Sequence, residues 1–63
     1  MRNIIRQLRT QRGWTQADLA ARLEVSRQTV NSLEQGRYDP SLPLAFRIAR
    51  LLDRRIEEIF SEE

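Results

Sequence analysis

The 63 residues include 11 arginines and nine acidic side chains, with no lysine, histidine or cysteine. That length holds one domain, and folding buries only about 60% of the surface such a chain exposes when unfolded. Disulfides and thiolate metal sites are excluded, and nucleophilic catalysis would have to run without His or Cys. No metal, no cofactor and no enzymatic activity are therefore expected.

Uninterrupted apolar runs reach only two or three residues, against the roughly 20 that span a bilayer. The start, Met1-Arg2-Asn3-Ile4-Ile5-Arg6, lacks the apolar centre of a signal peptide. The expectation is a soluble cytoplasmic protein with no membrane partner. The net charge of +2 says little, but its distribution says more. Residues 1–37 carry seven arginines and three acids, a net of +4, and residues 38–63 carry four arginines and six acids, a net of −2. A basic front and an acidic back fit a face built for a polyanion, and they also fit a solvated helical surface.

Caps and breakers mark five helical segments in chain order. The first, about Arg2 to Arg12, places Ile4, Ile5 and Leu8 on one side and stops at Gly13. Thr15 with Asp18 three residues later reads as a capping box. The second helix, beginning there, carries Leu19, Ala20 and Leu23 on one face. Glu24-Val25 make a tight connection, and Ser26 caps a third helix to about Gln35, with Gly36 placed for a left-handed C-terminal residue. After the loop Arg37-Tyr38-Asp39-Pro40, Ser41 caps a fourth helix that tolerates Pro43 in its first turn. Its inner face is expected to be Leu42, Ala45, Ile48, Ala49 and Leu52. Ile56, Ile59 and Phe60 form a short fifth helix or a single turn, and residues 61–63 are expected to fray. No strand pattern is visible.

The third helix is unusual. Its apolar positions are only Val30 and Leu33, while Arg27, Gln28, Thr29, Asn31, Ser32 and Gln35 face outward. A merely solvated helix would be richer in Glu and Lys, which favour helix more than Thr, Asn and Ser do. Guanidinium and carboxamide groups are those that read base edges in the DNA major groove. A short helix, a tight turn and this polar helix have helix-turn-helix spacing.

Residues 16–35, with Leu19, Ala20, Leu23, Val25, Val30 and Leu33 at their spacings, resemble the helix-turn-helix of the phage repressor/Cro-like (XRE) family. Leu8-Arg9, Gly13-Trp14-Thr15-Gln16, Glu34-Gln35-Gly36-Arg37 and Pro40-Ser41 extend the likeness over Ile5 to Phe60. The resemblance implies an all-α, compact five-helix lambda-repressor-like domain, and one of the short stand-alone regulators of that family. It implies a sequence-specific regulator of transcription, a repressor acting as a homodimer on double-stranded DNA at a pseudo-palindromic operator in the nucleoid. By position, Arg27, Gln28, Asn31 and Ser32 fall at base contacts, and Gln16, Thr29, Gln35, Arg37 and Tyr38 at phosphate contacts, Gln16 matching a glutamine that can also brace the recognition helix. Arg6 and Arg12 are further phosphate candidates. Arg9 and Glu34 match a structural ion pair, and Ala20 matches the small residue where the two helices cross.

Leu51, Ile59 and Phe60 are the expected dimer surface, although Ile56 and Ile59 fit a core equally well. Trp14 is expected to cover the core between the first two helices. Two positions depart from the family pattern. Glu24 stands where a glycine is usual, and Asp53-Arg54-Arg55 replaces a glycine followed by a capping residue. The alternative function is an antitoxin-like module that binds a protein partner. An enzymatic reading has only the pairs Glu57-Glu58 and Glu62-Glu63, which sit on a solvated helix end.

Overall fold

The computed structural model describes residues 1–62. In chain order these form strand β1 (Arg2–Asn3), helices α1 (Ile5–Gln11), α2 (Gln16–Leu23), α3 (Arg27–Glu34), α4 (Leu42–Leu52) and α5 (Ile56–Ile59), and strand β2 (Phe60–Ser61).

α1 begins later than the apolar pattern predicts because Asn3 stops it. The Asn3 carbonyl oxygen accepts the Ile5 N–H at 3.1 Å, and its amide donates to the Leu33 carbonyl at 2.7 Å. One side chain therefore caps α1 and ties it to the end of α3. β1 pairs antiparallel with β2, Arg2 opposite Ser61 and Asn3 opposite Phe60, and the Ile4 N–H adds a bond to the Ile59 carbonyl at 3.0 Å. This ladder corrects the expected absence of strand, and of the three tail residues expected to fray it reaches the first. Two-residue strands are too short to show alternation in a sequence. Ser61 is held in the ladder, Glu62 comes after it without regular structure, and Glu63 lies outside the described residues.

The caps form where the sequence places them. The Asp18 N–H donates to the Thr15 hydroxyl at 3.0 Å while the Asp18 carboxylate accepts the Thr15 N–H at 2.9 Å. Ser26 accepts from the Thr29 N–H at 3.0 Å, and Ser41 from the Leu44 N–H at 3.3 Å. Gly36 meets two demands: its φ is +73°, and a Cβ there would lie 2.8 Å from the Met1 carbonyl oxygen. Glu24 and Asp53 are left-handed without being glycine, at φ 61° and 56°.

On α4 the buried residues are Leu44, Ala45, Ile48 and Leu52, with Ala49 half-buried. Leu42, expected inside, is 63% exposed, and Leu44 takes its place. The pattern misleads because α4 is apolar over more than one side: Leu42 and Phe46 make a second, outward stripe. The core joins Ile5 and Leu8 of α1, Leu19, Ala20 and Leu23 of α2, Val30 and Leu33 of α3, Leu44, Ile48 and Leu52 of α4, and Ile59 of α5. Trp14 packs against this cluster, and the Arg22 guanidinium covers its ring at 4.2 Å from the centroid.

Arg12 is a strut rather than a free cation. Its guanidinium donates to the Leu8 carbonyl at 3.0 Å and to the Leu52 carbonyl at 2.6 Å, joining the ends of α1 and α4. Two carbonyls held apart on one planar fork are a task a lysine ammonium does poorly.

Candidate nucleic-acid interface

α2 and α3 meet at the Glu24-Val25 turn. The Val25 N–H closes onto the Ala20 carbonyl at 3.0 Å, which holds Ala20, itself buried, at the bend. Val30 and Leu33 anchor α3 in the core. Everything else on that helix is available to solvent or to a neighbouring polar group.

Those outward side chains divide into two sets. Arg27, Gln28 and Ser32 make no side-chain hydrogen bond or ion pair among the described residues, and Arg27 and Gln28 are exposed. Gln28, Thr29, Ser32 and Tyr38 line a shallow notch with Ser26. Thr29 is half-buried and shares its hydroxyl with that of Ser26 at 2.9 Å. Arg37 and Tyr38 are exposed just beyond α3, on the turn made by the Arg37 N–H and the Ser32 carbonyl.

The second set is braced. Arg9 Nε donates to Glu34 Oε2 at 2.6 Å, its Nη2 to Glu34 Oε1 at 3.2 Å, and its Nη1 to the Trp14 carbonyl at 2.8 Å. The pair is buried, with 11% and 4% of the two side chains exposed. A buried ion pair persists only when its remaining polar atoms are satisfied, and among the described residues no buried side-chain nitrogen or oxygen lacks a partner. Gln16 then joins α2 to α3: its amide donates to Glu34 Oε1 at 3.1 Å and to Asn31 Oδ1 at 3.3 Å. Gln35 donates to the same Asn31 oxygen at 3.1 Å. Both amide hydrogens of Gln16, a residue expected at a phosphate, are thus committed inward. Arg6, Arg9, Gln16, Asn31, Glu34 and Gln35 line a common pocket, in which Arg6 is exposed.

The expected dimer residues are dispersed. Ile59 is 2% exposed and belongs to the core, which removes it from any surface. Leu51 and Phe60 are half-buried against the same core. The exposed large apolar side chains of α4 are instead Leu42 and Phe46, beside Pro43, Arg47 and Arg50. Sequence reasoning missed them because it assigned Leu42 inward; the i, i+4 spacing of Leu42 and Phe46 was the available signal.

A polar helix held at a fixed angle by a turn, an ion pair and an amide bridge is the arrangement of a helix-turn-helix DNA-binding domain. The helix-turn-helix family profile matches residues 5–59. An HTH-type transcriptional regulator of Methanocaldococcus jannaschii is 49% identical over 63 residues, covering 100% of this chain and 96% of the relative. One from Methanothermobacter thermautotrophicus is 57% identical over 61 residues, 95% of this chain and 88% of the relative. Among solved structures, the restriction-modification controller protein C.AhdI of Aeromonas hydrophila superposes with a TM-score of 0.78 at 34% identity, over 89% of this chain and 85% of that one. A hypothetical transcription factor from Neisseria, NHTF, gives 0.76 at 26% identity over 86% of this chain, which spans 61% of its length. The chain belongs to the helix-turn-helix family, of the XRE type, and is a DNA-binding transcriptional regulator with double-stranded DNA as its partner.

No helix among the described residues is long and apolar enough to cross a membrane.

Proposed function

We propose that the protein is a sequence-specific repressor that places α3 in the major groove of a pseudo-palindromic operator, as a homodimer. The observation that carries this reading is the free set Arg27, Gln28 and Ser32 on a helix whose other polar side chains are tied down. Side chains without internal partners are able to exchange water for base edges, Arg to guanine and Gln to adenine. Asn31 reads alongside them. Thr29, Gln35, Arg37, Tyr38 and Arg6 grip phosphates, and Gln16 contributes through its backbone N–H at the start of α2.

A module of this size covers roughly 600–1,000 Å² of DNA. Two copies with recognition helices about 34 Å apart read two half-sites. The surface that supports pairing is the exposed stripe of Leu42 and Phe46, which a second copy would cover. Such a protein works in the cytoplasm at the nucleoid.

Selection of binders from a random duplex pool at stated salt tests the reading. Palindromic winners are expected. Gln28→Ala relaxes one position per half-site, at about 1–3 kcal/mol, whereas Arg37→Ala weakens all sequences alike and flattens the salt dependence. Winners without symmetry, or a Gln28→Ala profile identical to the parent's, would overturn it. In sedimentation, a protein that stays monomeric alone and on its selected duplex removes the homodimer.

A further inference from the structure

We infer that Asn31 reads its base as a donor only, so the pair it faces is selected for guanine rather than adenine. This rests on α3 being the recognition helix and goes beyond it by naming the base. The reason is a chain of forced hydrogen-bond directions.

Glu34 is held by the Arg9 fork and, as a carboxylate, only accepts. The Gln16 group 3.1 Å from Glu34 Oε1 must therefore be its amide nitrogen, not its oxygen. That same nitrogen lies 3.3 Å from the Asn31 side chain, so the Asn31 atom facing it must be the carbonyl oxygen. Gln35 supplies a second donor to this oxygen at 3.1 Å. Turning the Asn31 amide over would set its N–H groups against the Gln16 amide and lose that bond, whereas Gln35, exposed and without another side-chain partner, can turn its own amide to follow, so Gln16 alone fixes the direction.

The Asn31 oxygen is thus occupied from inside the protein. Its nitrogen forms no hydrogen bond among the described residues, and Asn31 is exposed on the outer face of α3. Asparagine recognises adenine by accepting from N6 while donating to N7, which needs both ends of the amide. Here only the donor end is left. Two N–H groups match the two acceptors of guanine, N7 and O6, whereas adenine answers one of them with its own donor. The ion pair between α1 and α3 therefore sets base choice on α3 through Gln16, with no DNA contact of its own.

The test compares selected-binder profiles of the parent, Asn31→Ala and Gln16→Ala, each checked for folding by thermal melting. The pair whose preference vanishes in Asn31→Ala is the one Asn31 faces. Guanine is expected there in the parent, favoured over adenine by roughly 5- to 150-fold, the worth of one bidentate contact. In Gln16→Ala the Asn31 amide is free to turn, and the guanine-to-adenine ratio at that pair alone should fall toward one. Adenine at that pair, no pair losing its preference in Asn31→Ala, or an unchanged ratio in Gln16→Ala would each overturn the inference. If instead the parent selects no sequence, the reading of α3 as a recognition helix is what fails. Should Gln16→Ala melt before the assay temperature, Gln16→Met, which fills the space with neither a donor nor a strong acceptor for Asn31, replaces it with the same expectation.

Discussion

The same turn, built on a left-handed residue that is not glycine, stands between α2 and α3 and between α4 and α5. Each begins at a buried leucine, Leu23 or Leu52, and passes through a left-handed residue, Glu24 at φ 61° or Asp53 at φ 56°. Each closes an N–H onto a carbonyl five residues back, Val25 to Ala20 at 3.0 Å and Arg54 to Ala49 at 3.1 Å. Each ends at an extended N-cap, Ser26 with φ −75° and ψ 157°, Arg55 with φ −73° and ψ 154°. The helices beyond the two turns differ. Ser26 has an oxygen for the Thr29 N–H and leads into eight helical residues. Arg55 has none; only Glu58 returns a bond, accepting the Arg55 N–H at 2.8 Å, and the helix runs four residues. The backbone bend comes from burying a leucine and closing a helix end, and neither step requires glycine. Length and robustness of the next helix come from the cap and from what else holds it.

That last condition separates the two regions most. α3 is tied to α1 by Arg9 and Glu34, whereas α5 is held by burial of Ile59 and by the ladder of β2 with β1. The largest expected effect therefore falls on the front. Arg9→Ala leaves Glu34 buried without its partner and should cost about 3–5 kcal/mol; urea denaturation measures it, and a loss under about 1 kcal/mol would mean the pair is solvated. Capping comes next. Ser26→Ala should cost about 1 kcal/mol, while Arg55→Ala, losing no cap oxygen, should cost close to nothing, so equal losses would abolish the distinction between the turns. Relief of left-handed strain is smaller. Glu24→Gly should gain about 0.5–1 kcal/mol and Asp53→Gly less, because aspartate enters this region more readily than glutamate. The Arg47–Glu24 contact that the first change removes is 4.0 Å long and exposed, worth little against that gain.

The smallest effect concerns pH. Hydrogen bonds from the Thr15 backbone and then its side chain, with Arg22 nearby, hold the Asp18 carboxyl below its ordinary 3.8. A depressed folded value means that the contribution is present above the unfolded pKa and is lost as pH falls through the folded one. The gap in melting temperature between the parent and Asp18→Asn should accordingly be open at neutral pH and close below about pH 4. A gap that persists in acid would show that the carboxylate is not its source. The helix before the second turn, α4, has no such box at its own start: Ser41 caps it alone, with Leu44 where α2 has Asp18.

Arginine usage gains a partial explanation from the same contrasts. Arg9 spans a carboxylate and a carbonyl, Arg12 two carbonyls, and Arg22 lies on the Trp14 ring. These are planar-fork and stacking tasks that lysine performs poorly. The structure gives no such reason for the exposed Arg54.

The sequence by itself determined the five helices and most of their ends, because caps, breakers and apolar spacing act within a few residues. Thr15 with Asp18, Ser26, Ser41 and Gly36 needed no tertiary information to be read. The polar outer face of α3 was equally legible, since Val30 and Leu33 leave only one side to bury. Tertiary structure alone decided what depends on segments distant in the chain. β1 and β2 are strands only because the fold brings Arg2-Asn3 beside Phe60-Ser61. Ile59 is core, and Leu42 surface, because the rest of the core packs against particular sides of helices that are apolar over too wide an arc. The direction of the Asn31 amide is the finest such decision. It is set by Gln16 on α2 and by Glu34 on α3 itself, and Glu34 is held in place by Arg9 on α1. Local physics supplies an amide at that position; only the packed helices choose which end of it faces outward.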